Sequence, residues 1–133
     1  ILQRYHEGFD AHHLDAVLLE PLPASALDEA RRDVAAVRVE PPMFSYIAAL
    51  ARRTRDWPAL TLGASPRAAI NLMQMSKAHA AMDGRDYLLP DDVKAAAPAV
   101  LRHRLVLKPE ADLEGLTADR VLVDVLGAVE VPK

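Results

Sequence analysis

Apolar residues recur every three or four positions along two central stretches, which is the spacing of an amphipathic helix. The first stretch runs from Pro42 to about Trp57, and its apolar stripe consists of Met43, Ile47, Leu50, Ala51 and Thr54. The second begins at Ser65-Pro66, runs to about Asp83 and stops at Gly84, with an inner face of Ala69, Leu72, Met73, Ser76 and Ala80. Serine followed by proline is typical of a helix start, and glycine of a helix end. Both stretches are predicted helices.

Shorter helices are predicted on either side of these two. The pattern favours one over residues 1 to about 8, one over 23–36, one from Pro90 to about Ala97, and one from an N-cap at Thr117 to about Val129. Pro98 is expected to end or kink the third of them, because proline cannot donate a helical hydrogen bond. Residues 9–13, 58–64 and 110–116 show no helical period and are expected to be irregular, loop and turn-like, respectively.

Two short segments alternate apolar and charged residues before a proline, as extended chain does. They are Val37-Arg38-Val39-Glu40-Pro41 and Leu105-Val106-Leu107-Lys108-Pro109, and they are the natural partners for a small ribbon. The predicted fold is therefore mainly α, a bundle of five or six short helices with at most a small two-stranded β ribbon.

The composition narrows the function. The 133 residues suffice for one domain, and half of them are apolar. The net charge of −3 gives no global field that would attract nucleic acid or an anionic membrane, so any anion site must be local. The chain has no cysteine, and no apolar stretch approaches the roughly 20 residues of a bilayer span. A cytoplasmic protein is expected. Because the sequence begins with Ile1 inside a helical pattern, we also expect a fragment of a longer protein.

The run Ser65-Pro66-Arg67 carries the most informative chemistry. Ser65 is placed to cap the helix, Pro66 occupies its first position, and Arg67 follows in the first turn. A cation there opposes the helix dipole by roughly 0.3–1 kcal/mol, so an anion is expected to compensate it. Free backbone N–H groups and a guanidinium together suit a phosphate. From the residues alone, the alternative is that Arg67 pairs with a nearby Asp or Glu.

Several short motifs follow one another in a fixed order along the chain. They are Thr54-Arg55, Leu62-Gly63-Ala64-Ser65-Pro66-Arg67-Ala68, Gly84-Arg85-Asp86-Tyr87, Pro90-Asp91-Asp92-Val93 and Leu101-Arg102-His103-Arg104-Leu105. In this order and spacing, across roughly residues 25–130, the chain resembles the C-terminal lid domain of MoxR-family AAA+ ATPases. One position departs from the family pattern: Leu89 stands where a hydroxyl residue usually precedes Pro-Asp-Asp-Val, so that helix lacks a side-chain cap.

The resemblance implies a domain organisation and a site. Residues 1–24 would be a linker or helical connection from a missing ATPase core, and residues 25–130 the lid. Arg67 would be the sensor 2 residue, which contacts the phosphates of ATP with Ser65 at the start of its helix, in the nucleotide site of its own subunit or of a neighbouring one. ATP and Mg²⁺ would be the cofactors of the intact protein. Its partners would be the ATPase core, neighbouring subunits of a hexameric ring and proteins with von Willebrand A domains, whose complexes it would remodel or help to mature.

The chain by itself is not expected to be an enzyme. ATP hydrolysis in this class needs a phosphate-binding loop of the form GxxxxGK[ST] and an acidic pair on a strand. None of the five glycines lies in such a loop. We therefore predict no catalytic residue, no hydrolysis and no tightly bound nucleotide for this chain alone, although it would form part of an ATPase when joined to its core.

Other residue clusters have simpler explanations. The histidines, His12-His13 with His6 or His79 with His103, lack the spacing of a metal site, and no metal is predicted. Asp91 and Asp92 are explained by the helix dipole. Glu110, Asp112 and Glu114 are interpreted as a solvated acidic loop, and Met73, Met75 and Met82 as core or interface residues. The basic cluster near Trp57 is interpreted either as a solvated helix face or as a contact surface, and it comprises Arg52, Arg53 and Arg55.

The alternative from another class is a free-standing helical nucleic-acid-binding or adaptor domain, since short helices joined by tight turns also build helix-turn-helix units. The acidic net charge and the lack of a long basic stripe argue against DNA as a partner. An autonomous hydrolase is disfavoured, because no nucleophile, base and orienting acid occur in a recognisable arrangement.

Overall fold

The helices make up most of the molecule. The computed structural model describes residues 2–9 and 22–132, and within these ranges the chain forms seven α-helices and a two-stranded ribbon. The helices are α1 (Leu2–His6), α2 (Ala26–Ala36), α3 (Pro41–Arg55), α4 (Pro66–Met82), α5 (Pro90–Leu101), α6 (Pro109–Leu113) and α7 (Ala118–Ala128). The predicted class, a helical bundle with a small β ribbon, is confirmed.

Helix α3 lies at the centre of the core. It begins at Pro41, one residue earlier than predicted, and ends at Arg55. All five residues of its predicted apolar stripe are buried, and Tyr46 is buried beside them. The spacing identified this face correctly because the opposite face carries arginines that remain in solvent.

Helix α4 packs beside α3 and along α5. Its residues Leu72, Ser76 and Ala80 are buried as predicted, whereas Ala69 and Met73 are half-buried against the core. The helix ends at Met82, and Gly84 then adopts a φ of +72°, a backbone conformation that glycine reaches without strain. The predicted stop at this glycine is confirmed.

Helix α5 continues through Pro98 to Leu101, so the predicted end near Ala97 was wrong. Proline in the helix removes one backbone hydrogen bond to the preceding turn. The residues around it, however, fill the core: Ala96, Ala97, Val100 and Leu101 are all buried. Burial of that face therefore stabilises the helix by more than the lost hydrogen bond costs. The sequence pattern does not show which of these two effects is larger.

The ribbon has a different partner from the one predicted. It pairs β1 (Leu60–Leu62) with β2 (Val106–Leu107) in antiparallel register, Leu60 opposite Leu107 and Leu62 opposite Val106. The prediction of an extended chain at 105–107 is confirmed, but its pairing with 37–41 was wrong, as was the assignment of 58–64 to a loop alone. The segment at 37–41 instead forms a single parallel bridge, Arg38 with Tyr87.

The C-terminal third of the chain has one short helix that was not predicted and one helix, with its cap, that was. A 3-10 turn, Arg102–Arg104, links α5 to β2. Residues 110–116 were expected to be turn-like, but the first four of them belong to α6, a short helix that begins at Pro109. In α7, Thr117 caps the helix through its hydroxyl, which accepts from the Arg120 N–H at 3.2 Å, and Val121, Leu122 and Val125 are buried.

Helices α1 and α2 lie at the periphery. Neither buries a residue completely, although α2 faces α4 and the Lys77 ammonium donates to the Ala35 carbonyl at 2.8 Å. Of the segment 9–13, which was predicted to be irregular, residues 10–13 lie outside the described residues. In residues 2–9 and 22–132, no helix is long and apolar enough to cross a bilayer.

Candidate functional site

The start of α4 has the geometry that the sequence predicted. Ser65 is extended, with φ −75° and ψ 165°, and its hydroxyl accepts a hydrogen bond from the Ala68 N–H at 3.3 Å. Its carbonyl accepts from the Ala69 N–H at 3.2 Å. Pro66 takes the first helical position, where a missing N–H costs nothing. The predicted cap at Ser65 is therefore confirmed, and it places Arg67 at the second position of a 17-residue helix.

Arg67 is exposed to solvent at this positive helix end. In the part of the chain that the structure describes, no carboxylate lies within ion-pair distance of its guanidinium. Nor does its backbone N–H reach an acceptor among those residues. The guanidinium and this N–H are thus both available at one helix end. This arrangement differs from the alternative prediction, in which Arg67 pairs with a nearby Asp or Glu.

The loop that leads into this helix is fixed against the end of α3. Thr54 is completely buried, its hydroxyl donates to the Ala51 carbonyl at 2.8 Å, and it accepts from the Ala64 N–H at 2.8 Å. Gly63 passes so close to α3 that a Cβ there would lie 2.5 Å from the Arg55 nitrogen and 2.6 Å from the Thr54 carbonyl. The glycine at position 63 is therefore required by a close backbone approach.

An apolar surface adjoins Arg67. Ile70, one turn further along α4, is 57% exposed, and Phe44 on α3 is 50% exposed. With Ile47, Ala48 and Met73 these side chains line a shallow groove between the two helices. The surface one turn from Arg67 is therefore open and apolar, and Arg67 itself is exposed beside it.

A second charged cluster joins the end of α4 to the start of α5. The guanidinium of Arg85 donates to both carboxylate oxygens of Asp92, at 2.6 and 2.8 Å, and also to Asp83 at 3.0 Å and to the Tyr87 carbonyl at 3.2 Å. The side chain of Asp92 is only 6% exposed. Its Oδ2 also accepts the Leu89 N–H at 2.8 Å, so Asp92 supplies the side-chain contact at the helix start that Leu89 cannot.

The charges of this cluster stabilise one another. Burial by itself would raise the pKa of Asp92, but the hydrogen bonds from Arg85 and from the Leu89 N–H favour the carboxylate, and the net result is a pKa below the usual value for Asp. The same bonds to Asp92 and Asp83 raise the pKa of Arg85 above its usual value. Both groups therefore stay ionised at neutral pH. We interpret the cluster as a structural connection between α4 and α5.

Comparison with known proteins decides the family. The profile of the AAA lid domain family matches residues 52–125, more than half of the chain. The chain belongs to the AAA lid domain family. This match covers the loop and helix that carry Arg67 as well as the Arg85–Asp92 cluster, and it ends within α7.

Relatives of this lid domain include MoxR proteins. The protein YeaC of Bacillus subtilis is 40% identical over 102 residues, which are 77% of this chain and 32% of YeaC. The chaperone MoxR1 of Mycobacterium tuberculosis is 39% identical over 79 residues, which are 59% of this chain and 20% of that protein. The resemblance to MoxR-family lids is confirmed.

A solved structure shows the same fold. The crystal structure of a provisionally assigned ATPase from Cytophaga hutchinsonii superposes with a TM-score of 0.75 and 34% identity. It covers 79% of this lid domain, which in turn spans 34% of that chain. The lid domain thus corresponds to about a third or less of the length of these relatives.

The remaining candidate residues lie apart from the start of α4. In the lid domain Asp91 is exposed and pairs with Lys94 at 3.0 Å, which agrees with the interpretation of Asp91 as a surface acid at a helix start. For Asp92 that interpretation was incomplete, because Asp92 forms a buried ion pair with Arg85. Among the described residues no three His, Asp or Glu side chains gather in an arrangement that could hold a metal, and His12 and His13 lie outside them.

The other clusters are mostly surface features of the lid domain. Glu110, Asp112 and Glu114 are exposed, the first two on α6 and the third directly after it. Met73 contacts the core, whereas Met75 and Met82 are 41% and 84% exposed. The basic cluster on α3 is exposed, and the Arg53 guanidinium lies over the Trp57 ring at 5.1 Å.

Proposed function

We propose that Arg67 is the sensor 2 arginine of an AAA+ ATPase lid and that it binds a phosphate of ATP held by a separate ATPase core. The observation that carries the proposal is an exposed arginine in the first turn of a long helix, with no carboxylate partner among the described residues. Ser65 contributes by capping this helix start. The family supports the assignment, because the match includes this segment.

The electrostatics of the helix end favour an anion. The positive end of the macrodipole opposes Arg67 by roughly 0.3–1 kcal/mol, and a bound phosphate would reverse the sign of that interaction. The guanidinium can donate two parallel hydrogen bonds to phosphate oxygens, and the Arg67 N–H can donate a third. Each of these interactions forms only while the phosphate is in place. The helix start therefore acts as a reporter of nucleotide state.

The ATPase core would supply the rest of the chemistry. ATP and Mg²⁺ would be bound there, with the phosphate loop and the acidic residues that hold the metal and orient water. The lid domain would supply the arginine and move as a rigid helical unit when the phosphate leaves. Loss of the charged contact at Arg67 changes the preferred lid position, which links hydrolysis to movement.

The intact protein would use this movement on other proteins. One relative is named a chaperone, MoxR1, which supports remodelling or maturation of partner complexes as the role of the assembly. Further partners in the proposal are neighbouring subunits of a hexameric ring and proteins with von Willebrand A domains. Arg67 would meet the nucleotide of its own subunit or of its neighbour; mixing Arg67→Ala subunits with subunits whose own core is inactive distinguishes the two arrangements.

The test is the turnover of ATP by the intact ATPase that carries this lid. Arg67→Ala is expected to lower kcat by roughly a hundredfold to a thousandfold, the range seen when a preorganised donor to a transition state is removed. Arg67→Lys should recover only part of the loss, because an ammonium cannot make the bidentate contact. Nucleotide-dependent ring assembly, measured by sedimentation, should weaken in parallel.

The matched control is Arg120→Ala. Arg120 also lies in the first turn of a helix and is exposed, and it makes only a loose pair with Asp124 at 3.6 Å. Its loss should leave turnover and assembly unchanged. If Arg67→Ala behaves like Arg120→Ala in both measurements, Arg67 is not the sensor and the proposed role is wrong.

A further inference from the structure

In the Thr54-Arg55 motif, Thr54 is the residue whose side chain bonds directly to the loop before Arg67, because the Arg55 side chain donates to the Ala51 carbonyl. It sits in the last turn of α3, it is completely buried, and its hydroxyl makes two hydrogen bonds of 2.8 Å each. Because its proton is donated to the Ala51 carbonyl, the hydroxyl is oriented with a lone pair free for the Ala64 N–H. The hydroxyl is thus fixed from both sides.

Ala64 depends on this contact. It is completely buried, and Thr54 Oγ1 is the acceptor for its N–H. A buried N–H without an acceptor is strongly disfavoured, so without the hydroxyl the chain would have to move to find a new partner. Gly63 cannot move toward α3, because its backbone already touches the end of that helix. The loop would therefore shift away from α3.

Such a shift would be transmitted to Arg67, three residues further on. The Ser65 cap is internal to α4, since within residues 2–9 and 22–132 Ser65 bonds only to the Ala68 and Ala69 N–H groups. It shapes the helix start but does not attach it to the neighbouring helix. Thr54 and Gly63 attach the preceding loop to α3, and with the buried Ala68 they determine where the exposed end of α4 lies.

We propose that Thr54 is a positioning residue for the phosphate contact of Arg67, holding the start of α4 in register with α3 through the Ala64 N–H. This inference rests on the proposed function of Arg67. Thr54 itself touches no nucleotide, because it is buried beneath the loop. Its effect is on the placement of the guanidinium, where an error of about 1 Å is enough to lower a rate by roughly a hundredfold.

The experiment compares hydroxyl variants in the intact ATPase. Thr54→Val, which keeps the shape but removes the hydroxyl, is expected to lower kcat roughly tenfold or more. Thr54→Ser keeps both hydrogen bonds and should restore turnover. Should Thr54→Val fail to fold, Thr54→Cys takes its place, because its thiol is a weaker donor and acceptor than the hydroxyl and should lower turnover without leaving the Ala64 N–H wholly unpaired.

The matched control is Ser76→Ala. Ser76 is an equally buried hydroxyl on α4, but it donates only to the Leu72 carbonyl of its own helix, at 2.7 Å. Its removal perturbs the core without touching the loop, so turnover should remain at the parent level. In the isolated chain, amide exchange at Ala64 should accelerate in Thr54→Val and not in Ser76→Ala.

The double variant Thr54→Val with Arg67→Ala separates positioning from general destabilisation. If Thr54 acts only through Arg67, the double variant is no slower than Arg67→Ala alone. A further loss of turnover in the double variant would overturn the inference, and so would parent-like turnover in Thr54→Val when Arg67→Ala is impaired. If Arg67→Ala itself is unimpaired, it is the proposed function that fails, and the role of Thr54 falls with it.

Discussion

At the scale of single residues, the glycine before Ala64 makes the sharpest prediction. Gly63→Ala should lower the free energy of unfolding by about 2 kcal/mol or more, because the new Cβ would lie 2.5 Å from the Arg55 nitrogen, a backbone atom that cannot move aside. Gly127→Ala is the control, since a Cβ there meets nothing within 4 Å. It should stabilise α7 by about 0.5–1 kcal/mol. Urea unfolding of both variants checks the two signs.

The buried ion pair predicts a dependence on pH. Asp92→Asn should lower the free energy of unfolding by about 1.5–3 kcal/mol near neutral pH, since the charged partner of Arg85 is lost. The pKa of Asp92 is lower in the folded protein than its usual value, so the stability that the carboxylate provides is complete above roughly pH 5 and disappears as pH falls through the folded-state pKa. The difference between parent and variant must therefore shrink on acidification.

The control for that experiment is Asp91→Asn. Asp91 is 88% exposed, pairs with Lys94 at the surface and interacts with the helix dipole, so its loss should change stability by no more than about 1 kcal/mol. A gap between the parent and Asp92→Asn that stays constant or widens down to pH 3 would contradict the assignment of the stabilising charge to Asp92. Unfolding curves at pH 7, 5 and 3 give the comparison.

Residue-scale chemistry was only partly predictable. The Ser65 cap followed from local rules, because the cap and its donor are three residues apart. The Arg85–Asp92 pair did not, since its partners are seven residues apart and meet only because of the direction that the chain takes after Gly84 and the packing of α4 on α5. Both motifs are visible in the sequence, but nothing in either of them shows which carboxylate turns inward. The motifs are Arg85-Asp86-Tyr87 and Pro90-Asp91-Asp92.

At the scale of helices and strands, the start of α5 lacks a side chain at its N-cap that could accept a hydrogen bond. Leu89 has no side-chain acceptor, and the Asp92 N–H reaches only the Leu89 carbonyl, at 3.1 Å. Leu89→Ser should be more stable than Leu89→Ala by about 1 kcal/mol, because serine adds an acceptor for that N–H. The comparison within one position removes the effect of the lost leucine. Equal melting temperatures for the two variants would show that this helix start gains nothing from a cap.

The elements that were predicted well are those with a long apolar period. Helix α3 and helix α4 each repeat their pattern over several turns, so the buried face could be identified before the structure was known. The ribbon failed for the opposite reason. Its strands have three and two residues, and Val37–Pro41 and Leu105–Pro109 have the same alternation, so the pattern could not reveal that Leu60–Leu62 is the partner. Long-range packing made that choice.

At the scale of the whole molecule, the proposed boundary near residue 25 can be tested by shortening the chain. A chain that begins at Ser25 should unfold cooperatively with a melting temperature within a few degrees of the parent, because α1 buries no residue. A chain that begins at Pro41 loses α2, the buried Val37 and the two backbone hydrogen bonds between Arg38 and the 86–88 segment, at 2.8 and 3.0 Å. It should melt markedly lower.

Circular dichroism measures both truncations under the same conditions. A large loss of stability in the chain that begins at Ser25 would place the boundary earlier and make residues 1–24 part of the domain. The complementary result, an unchanged melting temperature in the chain that begins at Pro41, would place it later and exclude α2. Only a difference between the two truncations supports a boundary close to residue 25.

The length of α4 has a mechanical consequence. With 17 residues it forms a rod of roughly 25 Å, which carries Arg67 at one tip and ends just before the Arg85–Asp92 cluster at the other. A pivot of about 5° at the arginine tip would sweep the far tip through approximately 2 Å, since the arc grows with the rod. In the proposed mechanism, the rod would convert a small rotation near a bound phosphate into a larger displacement at the far end of the lid domain.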